Sequence, residues 1–199
     1  MVDWYSFDNV NLSECEKRGI GVLTTRPFTQ STADWISEKI DDKDNVMFLG
    51  YGSIAEKVKA KNAHIINRSI RKQDLIKQLD NVNCLVVSMT PEGNDNFVDE
   101  DILKNFKGKI ISVSRANVID NTALYNNLDN ISHAYIDTLD SKYREELLES
   151  GKVTYTKHTA WSHNFSYEDN QEYYSKLQIR ILNPEAYKPV LPRTERVTF

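Results

Sequence analysis

Short apolar runs recur along the chain at 46–49, 63–66, 84–88, 109–113, 134–136 and 153–155, with stretches of helix-forming composition between them at 72–79, 99–105, 122–128 and 144–149. Continuous apolar runs of this length suit strands buried on both faces, and strands joined through helices pair in parallel. The alternating βα order with short links selects an α/β architecture, a doubly wound parallel sheet of about six strands, over a sandwich or a helical bundle. Ligands of such a sheet bind in the crevice beyond the carboxyl ends of its strands.

The loop after the first run narrows the ligand. Val46-Met47-Phe48-Leu49 leads into Gly50-Tyr51-Gly52-Ser53-Ile54-Ala55, and residues 56–61 are expected to continue as a helix. In such a loop the first glycine permits a tight turn and the second lets backbone N–H groups approach phosphate oxygens. The helix N-terminus then adds partial positive charge. Ala55 stands where a third small residue serves helix–strand packing. A nucleotide pyrophosphate over Gly50, Tyr51, Gly52, Ser53 and Ile54 is the natural ligand, and the sheet reads as Rossmann-type. The alternative is a small-residue turn in an ordinary βα unit.

Composition excludes several partners. A chain of 199 residues with 40% hydrophobic content can bury a sizeable core. Its net charge of −4 gives no polybasic footprint for nucleic acid or an anionic membrane surface. No segment approaches the roughly 18 apolar residues needed to span a bilayer, and no N-terminal stretch resembles a signal peptide. Cys15 and Cys84 do not form a metal-ligand spacing, so no metal centre is expected; they read as unpaired thiols in a reducing cytoplasm, Cys84 buried in a strand.

Ahead of the first run, residues 19–24 read as another strand and 31–40 as a helix with Ser31 or Thr32 as its N-cap. Residues 1–44 are expected to form a separate small element, 45–165 the nucleotide-binding domain, and 166–199 a C-terminal helix over 167–181 with an irregular tail.

Several stations agree in order and spacing with one family. They begin with Ser6-Phe7-Asp8-Asn9-Val10-Asn11-Leu12, Lys17-Arg18-Gly19-Ile20 and the glycine loop. They continue with Val113-Ser114-Arg115-Ala116, Val118-Ile119-Asp120, Ile136-Asp137-Thr138-Leu139 and Thr156-Lys157-His158-Thr159-Ala160-Trp161. From residue 6 to 161 the chain resembles the D-isomer-specific 2-hydroxyacid dehydrogenases, the group that includes glycerate, phosphoglycerate and D-lactate dehydrogenases. The resemblance implies that residues 1–44 are a remnant of a flavodoxin-like substrate domain and its linker.

It also implies roles. Arg115 would bind the substrate carboxylate and carbonyl oxygen, a task suited to a bidentate guanidinium. His158 would exchange a proton with that oxygen while the nicotinamide exchanges a hydride with the adjacent carbon. Asp137 would hold the nicotinamide carboxamide. Ser88, Met89, Thr90 and Pro91, then Val113 and Ser114, and finally Trp161 would complete the dinucleotide's surroundings. Taken singly, Arg115 reads equally as a surface ion-pair residue, His158 as a loop histidine and Asp137 as a strand-end cap.

The second strand ends at Asn67-Arg68-Ser69, where an NAD enzyme carries an acid for the ribose hydroxyls. A carboxylate would repel a 2′-phosphate, whereas Arg68 can pair with it and Asn67 and Ser69 can donate hydrogen bonds. NADP is the preferred cofactor, with NAD as the second option should Arg68 be merely solvated.

Three departures qualify the resemblance. The family's catalytic carboxylate falls where this chain has Lys142, whose ammonium near His158 would lower the histidine pKa; Asp140 is the carboxylate expected to serve instead if the loop takes another path. Most of the N-terminal substrate domain is missing, and Ser6 replaces the glycine of its carboxylate-binding turn. Between Thr32 and Val46 the long dimerisation arm is also absent, which leaves a homo-oligomer open. The expected function is hydride transfer between NAD(P) and a small 2-hydroxy or 2-oxo acid. The alternatives are a catalytically impaired NAD(P)-binding sensor or interaction module, and a structural partner that binds no dinucleotide.

Overall fold

A computed structural model describes residues 11–19, 29–66, 70–140 and 142–164, together with Gln171 and Ser175. Among these residues six strands form one sheet: β1 (Asn45–Leu49), β2 (Asn62–Ile65), β3 (Cys84–Val87), β4 (Gly108–Ser112), β5 (Ile131–Ile136) and β6 (Val153–Tyr155). Their order is β2-β1-β3-β4-β5-β6, and every pairing is parallel. The helices are α1 (Leu12–Lys17), α2 (Thr29–Ser37), α3 (Lys72–Gln78), α4 (Glu100–Asn105), α5 (Asn121–Asn126) and α6 (Arg144–Glu149). The α/β, doubly wound reading holds, and all six apolar runs become strands.

The strand residues are apolar because the central strands bury both faces. Met47, Leu49, Leu85, Val87, Ile110, Ala134 and Ile136 point into one core with Leu75, Ile102, Leu103, Leu124 and Leu147 from α3 to α6. Their neighbours Val46, Phe48, Cys84, Val86 and Ile111 point into the other, with Trp35 and Ile36 of α2, Ala55 and Ala160. This strict alternation sends successive side chains to opposite sides. Two helix starts carry aspartate caps: Asp99 Oδ1 accepts from Asp101 and Ile102 N, and Asp120 Oδ1 from Thr122 and Ala123 N. Cys84 lies in β3 as expected, and burial pushes its thiol up to about 12.

By packing, the sheet and α2 to α6 belong to one unit, Thr29–His163. Of the other unit, α1 is the described helix; Asn11 caps it, its Oδ1 accepting from Glu14 N at 3.0 Å. Neither the sequence pattern nor the family stations anticipate this helix.

Two helix expectations need correction. Residues 56–61 are not a helix: a single 3-10 turn, Ala55–Lys57, ends at an extended Val58 (ψ 132°). Val58-Lys59-Ala60-Lys61 alternates apolar and charged residues, and Val58 and Ala60 pack onto the second core. That period of two makes an extended segment, not a helix. The helix expected over 31–40 starts at Thr29 and stops at Ser37, so Ser31 and Thr32 are buried within it and do not cap it. Thr29, Thr32, Ala33 and Ile36 form its buried face at helical spacing. Ser37 Oγ donates to Ala33 O at 2.6 Å and accepts from Lys59 N at 3.0 Å, closing the helix against the strand-like segment.

The strand expected at 19–24 lies outside the described residues except for Gly19, which is in a turn. Of the helix expected at 167–181, Gln171 and Ser175 are described and are helical.

Candidate dinucleotide and substrate site

Register places the candidates in a row. Leu49 pairs with Val87, Val87 with Ser112, Ser112 with Ile136 and Ile136 with Tyr155. The residues one step further on are Gly50, Ser88, Val113, Asp137 and Thr156, so five loops leave the same edge of the sheet side by side. This is the edge at which a doubly wound sheet binds ligands.

Hydroxyl groups tie each loop to the one before it. Ser88 Oγ donates to Gly50 O at 2.6 Å and Ser114 Oγ to Met89 O at 3.0 Å. Thr138 Oγ1 donates to Ser114 O, and Thr156 Oγ1 to Asp137 Oδ1 at 2.6 Å. The side chains of Ser88 and Ser114 are thus used within the protein. Their contribution to a ligand would come through shape and main chain.

The two fingerprint glycines differ in what they do. Gly50 has φ +87°, and a Cβ there would lie 2.9 Å from Met89 N and from Ser88 C and O. Only glycine lets β1 turn this closely over the β3 loop. At Gly52 a Cβ would meet nothing within 4 Å. Exposed Tyr51, Gly52 and Ser53 therefore offer an open main chain that a phosphate can approach, and the loop fits a pyrophosphate. Tyr51 sets its ring edge-on to Phe48 at 6.0 Å, Ile54 is half-buried, and the loop lacks the following long helix whose dipole was expected to help.

Loop β3 continues through half-buried Met89, exposed Thr90 and half-buried Pro91, with Asn94 Nδ2 donating to Thr90 O at 2.7 Å. Val113 is half-buried against the second core. Asn67, Arg68 and Ser69, which follow β2 after Ile66, lie outside the described residues.

Arg115 follows β4 by three residues, half-buried and extended (ψ 154°), at the start of the 3-10 turn Ala116–Val118. His158 follows β6 by three residues and is half-buried. The structure brings the two together with Asp137: burial pushes the His158 imidazole down, the Asp137 carboxylate pulls it up and the Arg115 guanidinium pushes it down. Lys157 and His158 both have left-handed backbone, φ +56° and +60°, which costs non-glycine residues roughly 1–3 kcal/mol each. Trp161, in the 3-10 turn Ala160–Ser162, is exposed, while Ala160 beside it is buried.

The expectation for Lys142 is corrected. Its ammonium lies over the Tyr143 ring, 5.0 Å from the centroid, and the cation that lowers His158 is Arg115. Asp140 is exposed and its Oδ1 accepts from Lys142 N at 3.1 Å, which turns the loop locally. Among the described residues no cluster of three or more His, Cys, Asp or Glu could hold a metal ion, and no helix is long and apolar enough to cross a membrane.

Sequence reasoning missed the tying hydroxyls. Their signal was present, a Ser or Thr within two residues after β3, β4, β5 and β6, but only the register shows that they meet neighbouring loops.

The sheet order, the glycine turn and the row of loops define a Rossmann-type NAD(P)-binding domain. Residues 45–160 match the family model described as D-isomer specific 2-hydroxyacid dehydrogenase, NAD binding domain, and the chain belongs to that family. The fold recurs in the apo D-mandelate dehydrogenase of Rhodotorula graminis, at 17% identity and TM-score 0.73 over 91% of this chain and 70% of that one. It recurs in the NADPH-dependent glyoxylate/hydroxypyruvate reductase of Sinorhizobium meliloti in complex with citrate, at 19% identity and TM-score 0.74 over 94% and 75%. A D-lactate dehydrogenase from Aquifex aeolicus, complexed with NAD and lactic acid, matches at 17% identity and TM-score 0.66 over 91% and 75%. No curated protein matches the chain in sequence.

Proposed function

We propose that the chain takes NADPH in preference to NADH and serves hydride transfer between the nicotinamide and a small 2-oxo or 2-hydroxy acid. The observation that carries this reading is the convergence of Arg115, Asp137 and His158 at the ends of β4, β5 and β6, in the same row as the open Gly52 loop. Family membership, the NADPH-dependent reductase and the NAD-complexed D-lactate dehydrogenase among the neighbours support it. The preference rests on Arg68, with Asn67 and Ser69, where an acid would otherwise read the ribose.

The nicotinamide, when bound, supplies the hydride donor or acceptor. Arg115 holds the substrate carboxylate through its planar fork. The neutral His158 ring takes the hydroxyl proton when a 2-hydroxy acid is oxidised, and the protonated ring returns it to the carbonyl oxygen in reduction. Gly50, Tyr51, Gly52, Ser53 and Ile54 would hold the pyrophosphate by main chain. Asp140 and Trp161, three residues beyond Asp137 and His158 in the chain, are secondary candidates.

The one-turn helix after the glycines and Lys142 at the carboxylate position favour a second reading, an NAD(P)-binding module without turnover. Titration with NADPH and NADH, followed by nicotinamide emission, and then a 2-oxo acid screen separate the two. Turnover that Arg115→Lys abolishes, with NADPH affinity intact, supports the enzyme. Tight NADPH binding with no turnover supports the module, and binding of neither cofactor removes both.

A further inference from the structure

Arg115 stands between two fixed stretches of chain. On its N-terminal side Ser114 is held twice, its Oγ donating to Met89 O at 3.0 Å and its O accepting from Thr138 Oγ1. On its C-terminal side residues 117–120 lie along 96–98. Asn96 N donates to Asn117 O at 2.7 Å, Val98 N to Val118 O at 3.1 Å and Asp120 N to Val98 O at 3.0 Å, and Val98 and Ile119 form a parallel bridge. Val98, Val118 and Ile119 are buried there, and Asn117 Nδ2 adds a bond to Asp95 Oδ1. The 3-10 turn that starts beside Arg115, Ala116–Val118, is closed by Val118 N donating to Arg115 O at 3.0 Å, and turns of this kind have poor hydrogen-bond geometry. Asn121 reinforces it. Its Nδ2 donates to Ala116 O at 3.1 Å and to Ile119 O at 3.0 Å, so both N–H groups of the amide are spent on the turn.

We infer that Asn121 is the positioning residue for Arg115: its amide grips both ends of the 116–119 turn and so holds the main chain that carries the guanidinium. The inference deepens the proposed function and rests on it for its catalytic meaning. Helix α5 does not need this amide, because Asp120 caps its N-terminus through Thr122 and Ala123 N. An aspartate of the same size has no N–H to donate and a serine has one, whereas the amide closes both bonds. A fork that meets a carboxylate with two bonds tolerates little movement of its base.

The Arg115 guanidinium pushes the His158 imidazole down, which gives a readout free of cofactor. The experiment is Asn121→Ala, with Arg115→Gln as the reference, each followed by imidazole NMR titration of His158, by NADPH affinity and by KM for a 2-oxo acid. Asn121→Ala changes no charge, so a titration moved to higher pH, part of the way to that of Arg115→Gln, reports a displaced guanidinium and is the expected result. KM is expected to rise about tenfold, as for one weakened charge-assisted bond, with NADPH affinity within about twofold. An unmoved titration overturns the proposal even if stability in urea falls, since a merely structural amide would lower stability alone. Equal losses of NADPH and 2-oxo acid affinity overturn it as well. Should Asn121→Ala fail to fold, Asn121→Ser carries the titration with the same expected and overturning results. A wild-type chain that binds no NADPH removes the functional reading and leaves the titration, taken without cofactor, to decide the proposal.

Discussion

His158 sits where burial lowers the pKa of its ring, the Asp137 charge opposes that shift and Arg115 adds to it. The folded chain therefore binds fewer protons here than the unfolded one over the window between the lowered value and about 6.5. Stability from this group is full above that window and is lost as the pH falls through it. For the reaction, the ring is a base at neutral pH. Reduction of a 2-oxo acid needs the protonated ring, so its kcat/KM should rise as the pH drops below about 6.5, while oxidation should be level at neutral pH and fall on acidification. A reductive limb centred above neutral pH would remove His158 from proton exchange. At this scale the sequence was informative about which residues the strand ends carry to one edge of the sheet, since Arg115, Asp137 and His158 stand at ordered stations. It was silent about their partners: that Lys142 faces Tyr143 and Thr156 faces Asp137 depends on loop path and strand register, which spacing along the chain does not encode.

Among the elements, β2 stands apart. All four of its residues are exposed, Ile65 at 53%, whereas β3 is buried throughout. The cause is the connection over residues 50–61, whose single 3-10 turn is too small to cover the strand. A Rossmann order of 3-2-1-4-5-6 would also place a further strand beyond β2, and among the described residues the sheet ends at β2. Amides of β2 should accordingly exchange faster than those of β1 and β3 in hydrogen-exchange mass spectrometry, and equal protection would show that another segment covers the edge. The strands were legible because continuous apolar runs leave few alternatives. The missing helix was misread because the glycine loop outweighed the period-two pattern of Val58-Lys59-Ala60-Lys61 that follows it.

Across the molecule, the end of the sheet opposite the site is braced by Lys109. Its Nζ meets Asp41 Oδ2 at 2.6 Å, Asp44 Oδ2 at 2.7 Å and Lys39 O at 2.8 Å, pinning the connection between α2 and β1 to the start of β4. Burial would lower the Lys109 pKa, yet the bonds to Asp41 and Asp44 raise it. Asp44 is 3% exposed, so Lys109→Ala would strand a buried carboxylate and should cost about 3 kcal/mol in urea unfolding. A loss below about 1 kcal/mol would mean that the brace is solvated. NADPH affinity should not change, since the brace and the candidate site lie at opposite ends of the strands.

The hydroxyl ties along the working edge all run the same way, each from a later strand to the loop of its spatial neighbour nearer β1. Such a lattice constrains how this edge can be remodelled. Lengthening any one of these loops near its strand would slip the next hydroxyl off its acceptor, so new specificity has to come from side chains or from loop tips beyond the ties. Connections at the other end are tied by amides and ammoniums instead: Asn83 Oδ1 accepts from Asn45 N, Lys152 Nζ donates to Leu128 O, and Lys109 holds the turn before β1, so added sequence there has to spare these contacts.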